Sequence, residues 1–472
     1  MSFDSTVYFI FLILVVSCYW SLSFRVQNWL LLVCSYFFYG WWDYRFLLLM
    51  GTSTCLNYVL SHRFEEMGEG PARKRLFIGA LVINFLFLGF FKYCNFFIDS
   101  FVDVLRVFGV EYPPQRWIEV LLPPGISFYT FQEVAYLVDV YRRRLPAAPR
   151  LLDYALFVCV FPHLIAGPIQ RPGHLLPQLQ RERMYKPDQF FDGLLLILEG
   201  LFRKVVIADN CALVANAAFS RKLGEPNLVV VLLGMFAFAW QIYGDFSGYS
   251  SIARGSAQLL GLHFMVNFKQ PYLATSLQDF WRRWHISLST WLRDYLYIAL
   301  GGNRYGELKT YRNLLYTMLL GGLWHGANWT FVVWGGIHGL GLAVERFFTS
   351  GAPEKTTLFP RVVDVWLRRF VLFLLVGIAW IFFRAASIEE ALHFLAGISI
   401  WHWQTEYWVA AKVLMLFSIP LFLLDVWLER NDEEYAFQRL DIGPRVAFGT
   451  VLLLFTLMFG ANQSNAFIYF QF

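Results

Sequence analysis

Two histidines forty residues apart, each set in a tryptophan-rich apolar stretch, are the side chains best equipped for chemistry. His285 lies in Phe280-Trp-Arg-Arg-Trp-His-Ile-Ser-Leu-Ser-Thr-Trp-Leu-Arg-Asp294, and His325 in Leu323-Trp-His-Gly-Ala-Asn-Trp329. Ionisable groups are costly in a membrane, so those retained there line a water-filled or catalytic path. Burial disfavours a charged imidazole, and a neutral imidazole can take a proton from a hydroxyl, the work of a general base. His325 is the sharper candidate, because apolar runs flank it on both sides. If residues 321–338 are helical, Gly321, Gly322, Trp329 and Gly336 share its face, and the small residues among them leave open volume beside the ring. The competing reading is a structural histidine bonded to a neighbouring helix.

Residues 281–295 fit an amphipathic helix at about 100° per residue. Trp281, Trp284, Leu288, Trp291, Leu292 and Tyr295 form one stripe, with Arg282, Arg283, Ser289, Thr290, Arg293 and Asp294 opposite. Such a helix lies along a membrane surface, and His285 sits at its border. Lys269, Arg282, Arg283 and Arg293 could hold the phosphates of a nucleotide-bearing donor. Tyr243-Gly-Asp245-Phe-Ser247-Gly-Tyr249 brings a carboxylate to membrane depth. Asp245 could orient a histidine or accept from a hydroxyl, with Tyr243 beside it; a helix break capped by Asp and Ser is the plainer alternative. Trp324 and Asn328, beside His325, are further donor-binding candidates.

Nothing suggests a metal or a familiar nucleophile. No His-Glu-x-x-His occurs, and His338, thirteen residues after His325, falls about 220° further round a helix and so on another face. His402, between two tryptophans, reads as interfacial, and His163, after Pro162, as structural in a re-entrant turn. There is no Gly-x-Ser-x-Gly elbow or Walker loop. The six cysteines stand singly, without a Cys-x-x-Cys pair.

The elements that must position these residues are membrane helices. Of 472 residues, 57% are hydrophobic, 19% aromatic and 15% charged, against about 25% charged in soluble domains. A net charge of +5 spread over short clusters excludes a nucleic-acid face. Apolar segments near the length needed to span a bilayer cover 6–24, 27–40, 46–61, 76–98, 118–140, 190–208, 228–248, 311–323, 328–346, 364–383, 408–428 and 445–461. Segments 151–166, 255–268 and 286–300 are broken by Pro, Gly or charge and read as re-entrant or interfacial. The expectation is an all-α polytopic membrane protein with about eleven to thirteen embedded helices. It forms a single domain over 1–472, its catalytic core about 118–346.

Orientation follows from the cations. Arg63, Arg73, Lys74 and Arg75 form one loop and Arg142, Arg143, Arg144 and Arg150 another, two spans apart and therefore both cytosolic. This puts the N-terminus and the loop near 99–117 outside. The basic stretch 168–187 stays cytosolic if Phe161-Pro-His163 to Gly167-Pro168 dips in and returns. The apolar run Val7–Trp20 has no preceding Lys or Arg and reads as a retained span rather than a cleaved signal.

Several joined motifs carry a family resemblance: Tyr243-Gly-Asp-Phe-Ser-Gly-Tyr249, Asn267-Phe268, Pro271-Tyr272, Phe280-Trp-Arg-Arg-Trp-His285-Ile-Ser-Leu-Ser, Arg293-Asp-Tyr-Leu-Tyr297, Leu300-Gly-Gly-Asn-Arg304, Leu323-Trp-His325-Gly and Phe467-Ile-Tyr-Phe-Gln-Phe472. Pro123-Pro-Gly-Ile-Ser-Phe128 and Phe161-Pro…Gly167-Pro168-Ile belong with them. In this order they resemble the membrane-bound O-acyltransferase (MBOAT) family, nearest its bacterial alginate O-acetyltransferases. Ser251 and Ala299 depart from the usual Asp and Pro of the alginate type.

The resemblance implies a helical fold with a central tunnel, His325 as the catalytic histidine and His285 as the second polar position. It also implies a cytosolic thioester donor, acetyl-CoA, as co-substrate with no bound cofactor. The acceptor is then an exported polysaccharide such as alginate or cellulose, or a periplasmic serine-hydrolase-like partner that acetylates it. The expected location is the bacterial inner membrane. The alternatives are a D-alanyl transfer protein of teichoic-acid assembly, fed by a carrier protein, and a non-enzymatic polysaccharide transporter.

Overall fold

The computed structural model describes all residues except 111–119, 165–166, 350–359, 437, 462–466 and 469–472. Among the described residues the regular structure is entirely helical, as an apolar chain in lipid requires, because a helix satisfies its own backbone. Each of the twelve expected spans coincides with a helix. Positions 118–119 of the fifth, part of the outer loop near 99–117, and the last four residues of the 467–472 motif lie outside the described residues. Among the described residues, five helices are long and apolar enough to cross a membrane: Pro71–Val107, Leu228–Leu259, Arg361–Arg384, Thr405–Asn431 and Ile442–Phe459. The protein is a multi-pass membrane protein.

The chain divides into two compact units, Met1–Phe190 with Ser256–Met265, and Phe191–Gly255 with Val266–Phe472. The first contains α1 (Thr6–Tyr19), α2 (Phe24–Gly40), α3 (Arg45–Glu66), α4 (Pro71–Val107), α5 (Ile126–Tyr141), α6 (Leu151–Cys159), α7 (Phe161–Leu164) and α8 (Pro172–Leu179). Its two basic loops meet at one end. Glu69 accepts from Arg73 at 2.7 Å and from Arg143 at 3.0 Å, and Arg73 also donates to the Tyr141 carbonyl at 2.7 Å. The loops that the cation pattern assigns to one side are therefore joined. The segment expected to be re-entrant is broken: α6 stops at Cys159 and α7 is one turn. A Cβ on Gly167 would fall 2.4 Å from the His163 Cα, so only glycine allows this return. Residues 154–164 are all buried, which makes irregular backbone tolerable at this depth. His163 is structural, its Nε2 3.1 Å from Gln132 Oε1 on α5.

The second unit begins in α9 (Pro187–Leu201), which widens into a π-helical turn at Phe202–Ala208 before α10 (Asp209–Phe219) and α11 (Leu228–Leu259). The most apolar stretch of α11 is 72% buried, against 17% in α19 (Ile442–Phe459) of the same unit, so α11 is the more interior of the two. Its glycines allow that burial. A Cβ on Gly248 would lie 2.7 Å from the Gly200 carbonyl oxygen, and one on Gly244 2.9 Å from that of Arg203. The remaining helices are α12 (Leu277–Arg283), α13 (Ile286–Trp291), α14 (Glu307–His325), α15 (Trp329–Thr349), α16 (Arg361–Arg384), α17 (Ile388–Ala396), α18 (Thr405–Asn431) and, last, α19.

Two expectations are corrected here. The single amphipathic helix over 281–295 does not form: it is split into α12, α13 and a π turn at Leu292–Tyr297. The glycines of α14 do not leave an open volume either. A Cβ on Gly322 would lie 2.2 Å from the Phe331 carbonyl oxygen, and one on Gly335 2.3 Å from that of Met318. The small residues bring the backbones of α14 and α15 into contact, the close approach that small residues give paired membrane helices.

Candidate active site

His325 ends α14, and Gly326 stops the helix in extended conformation. The imidazole is 4% exposed and edge-on to three rings: Trp334 at 5.0 Å, Trp324 at 5.1 Å and Phe383 at 5.4 Å between centroids. Asn328 fixes the next turn. Its side-chain oxygen accepts from Thr330 N at 2.9 Å, capping α15, and its amide donates to the Ala386 carbonyl at 3.0 Å. Both ends of that side chain are thus engaged in local structure.

His285 occupies the break between α12 and α13, in the left-handed region at φ 43°, ψ 54°. A non-glycine residue there costs about 1–3 kcal/mol and persists only when its surroundings impose it. Asn267 does so. Its carbonyl accepts from Ile286 N at 2.9 Å, and its side-chain oxygen accepts from Ser287 N at 3.3 Å and Ser287 Oγ at 2.6 Å. Lys269 N donates to the Arg283 carbonyl at 3.0 Å. These bonds replace helical ones, which is why a pattern that is locally helical breaks here. The fully buried His285 ring then meets Phe246 of α11 at 4.6 Å, Trp324 at 5.8 Å and His325 at 6.3 Å. The structure brings together the two histidines picked out by type, with Trp324 against both.

The other candidates lie elsewhere in this unit. Tyr243 donates to Asp425 Oδ1 at 3.1 Å and accepts from Arg203 Nη1 at 3.3 Å, while Arg203 pairs with Glu199 at 2.6 Å. Asp245 pairs with Lys204 at 2.9 Å and accepts from Ile468 N at 2.7 Å; Lys204 also holds Asp209 at 2.8 Å. α11 runs unbroken through both residues, so Asp245 caps nothing and belongs to a buried ion network. Three of the four expected phosphate-binding cations already hold carboxylates. Arg283 bonds Asp279 at 2.8 Å and Glu429 at 2.6 Å, Lys269 bonds Asp432 at 2.9 Å, and Arg293 bonds Asp294 at 2.7 Å. The Lys269 ammonium holds the Asp432 carboxyl below its ordinary range. Arg282 is exposed and makes no ion pair among the described residues.

One residue set aside by sequence reasoning stands one indole away from His325. His338 lies 4.8 Å from Trp334, the indole that also contacts His325. Counting 100° per residue from His325 placed it on another face, but the non-helical turn at 326–328 invalidates that count. Only the fold of the α14–α15 hairpin could have revealed it.

Comparison with known proteins gives the family. The model of MBOAT, the membrane-bound O-acyltransferase family, matches residues 90–388, which include both histidines. The chain is 41% identical over 512 aligned residues to the probable alginate O-acetylase AlgI of Azotobacter vinelandii, covering 100% of each chain. It is 46% identical over 393 residues to the probable alginate O-acetylase AlgI of Pseudomonas aeruginosa, covering 83% of this chain and 73% of that one. To the peptidoglycan O-acetyltransferase of Helicobacter pylori it is 32% identical over 496 residues, covering 94% and 91%.

Proposed function

Because this chain belongs to the membrane-bound O-acyltransferase family and is an O-acetyltransferase, we propose that His325 and His285 carry its chemistry. The acetyl group comes from a cytosolic thioester, acetyl-CoA, and crosses the bacterial inner membrane to an exported polysaccharide, or to a periplasmic serine-hydrolase-like partner that esterifies it. The relatives favour a polyuronate such as alginate over cellulose.

The chemistry asks little of the protein beyond alignment, because a thioester carbonyl is already activated. His325 takes the proton of the acceptor hydroxyl as its oxygen bonds the acetyl carbon. The C–S bond then breaks, and the imidazolium returns the proton to the leaving thiolate. His285 donates to the oxyanion that develops between these steps, and Trp324 walls the space between the rings. The observation that carries this reading is the pairing of two buried imidazoles, 6.3 Å apart, within one aromatic enclosure.

Donor phosphates reach Arg282 directly. Displacing Asp294 from Arg293 or Asp432 from Lys269 costs little, because exposed ion pairs are worth about 0–1 kcal/mol. The test is acetyl transfer by the protein in nanodiscs, read as thiol release from acetyl-CoA and as base-labile acetate on polymannuronate. His325→Ala lowers turnover roughly 10²–10⁴-fold with unfolding temperature unchanged. Wild-type turnover in that variant refutes the assignment. Transfer only from an acetylated carrier protein moves the reading to the carrier-fed, D-alanyl-transfer type of donor.

A further inference from the structure

Behind the histidine pair lies a second polar group that the mechanism leaves unused. His338 on α15 is 1% exposed, and neither of its ring nitrogens has a hydrogen-bond partner among the described residues. Its ring stacks on Phe280 of α12 at 6.1 Å and 8°, and lies edge-on to Trp281 at 5.2 Å and Trp334 at 4.8 Å. Trp281 and Trp334 are themselves 5.7 Å apart. Both indole nitrogens are buried and likewise lack a partner. Three neighbouring rings therefore carry four unused polar atoms. A buried donor or acceptor left unmade is costly, and the large majority of buried side-chain polar atoms have a partner.

The arrangement is held rigidly. Glu345, two turns along α15 from His338, accepts from Leu277 N at 2.6 Å and Gln278 N at 3.3 Å, which fastens the start of α12 to α15. Ser276 accepts from Asp279 N at 3.1 Å and caps the same helix. Trp281 is thereby fixed against Trp334 and His338.

We propose that His338, Trp281 and Trp334 form a subsite for a neutral secondary amide of the acyl donor. A neutral imidazole offers one N–H and one acceptor nitrogen, and each indole offers one N–H. An amide is the complement: its carbonyl accepts from N–H groups and its N–H donates to the imidazole. A carboxylate offers no donor for the imidazole acceptor and is expensive to bury. Trp334 touches both His325 and His338, so the subsite lies one indole away from a thioester carbonyl at His325. The amide-bearing thiol arm shared by coenzyme A and acyl carrier proteins has this chemistry. The proposal rests on the thioester reading above and adds how the donor is gripped.

The test is equilibrium binding of three probes to the protein in nanodiscs: acetyl-CoA, an acetyl-CoA analogue whose arm amide nearest sulfur is replaced by methylenes, and an acetylated acyl carrier protein. His338→Phe removes the polar atoms and keeps the ring. It weakens the amide-bearing probe roughly 5- to 30-fold, as expected for a buried hydrogen bond, and leaves the methylene analogue unchanged. His338→Gln restores part of the affinity, and unfolding temperature does not fall. Trp281→Phe, which deletes one N–H, weakens the same probe and serves if His338→Phe does not fold. Which of acetyl-CoA and the carrier binds wild type identifies the arm's source. Equal weakening of both arm types, or unchanged affinity in both variants, overturns the proposal, as does failure of wild type to bind any probe. Loss of transfer in His325→Ala with normal binding by His338→Phe rejects this subsite alone.

Discussion

Gly322→Ala is the most direct probe of what holds His325 in place. The added Cβ would lie 2.2 Å from the Phe331 carbonyl oxygen, 3.1 Å from its carbon and 3.2 Å from the Gly335 Cα, all backbone atoms. Restoring ordinary contact requires α14 and α15 to separate by about 1 Å, an overpacking cost of about 1–3 kcal/mol. Replacing a helical glycine returns about 0.5–1 kcal/mol, so the net loss is about 0–2.5 kcal/mol. His325 lies less than one turn further along α14 and moves with it. A misplacement of about 1 Å at a reacting group can cost about 10²-fold in rate. The assay is initial-rate thiol release from acetyl-CoA in nanodiscs, alongside thermal unfolding. Gly336→Ala is the control, because its Cβ meets only Leu319 Cδ2 at 3.6 Å; it keeps full activity. Wild-type turnover in Gly322→Ala, or equal loss in both variants, refutes the claim that hairpin spacing sets the position of His325.

Three further outcomes follow from the same contacts. Asp245→Asn strips one partner from the buried Lys204, which keeps Asp209 at 2.8 Å; thermal unfolding registers a loss of roughly 3 kcal/mol, the lower end for a broken buried pair. The triple variant Lys204→Met with Asp209→Leu and Asp245→Leu, which leaves no charge of the trio unpaired, recovers part of it. Asn267→Ala releases the Ser287 bonds that force His285 into its left-handed turn; turnover falls about 10- to 100-fold if orientation is what that turn supplies, with acetyl-CoA affinity unchanged. Glu69, outside the spans, has its pKa lowered from 4.5, first by its hydrogen bond with Arg143 and further by the charges of Arg73 and Arg143. A depressed carboxyl contributes stability above its unfolded pKa and loses it as pH falls through the folded value. Arg143→Ala therefore flattens the acid limb of unfolding temperature as pH falls below the ordinary carboxyl value of 4.5, and an unchanged limb removes the bridge from the account.

The helices were legible because lipid imposes a simple rule on composition and length. α14 and α15 lie where the apolar runs end, and the basic loops joined at Glu69 are those the cation pattern assigns to one side. His285 and His325 stand out as candidates from residue type alone, since imidazoles are conspicuous among so many apolar residues. The break at His285 was not legible. Local periodicity favours helix there, and the bonds from Asn267 that override it come from eighteen residues away. Asp245 and Tyr243 read as site residues because buried charge suggests function; Lys204, Arg203 and Asp425, which pair with them, stand on other helices. The glycines of α14 read as space because a sequence does not show what fills it.

Residue chemistry by itself decided that this is a helical membrane protein and singled out two imidazoles as the candidates for moving a proton, since both readings depend on solvation of single side chains. Tertiary structure decided that the two rings meet, that the arginines are mostly spoken for, and that a third histidine stands behind the same indole. Those facts depend on which distant atoms compete for a backbone or a charge, and a linear pattern cannot encode that competition.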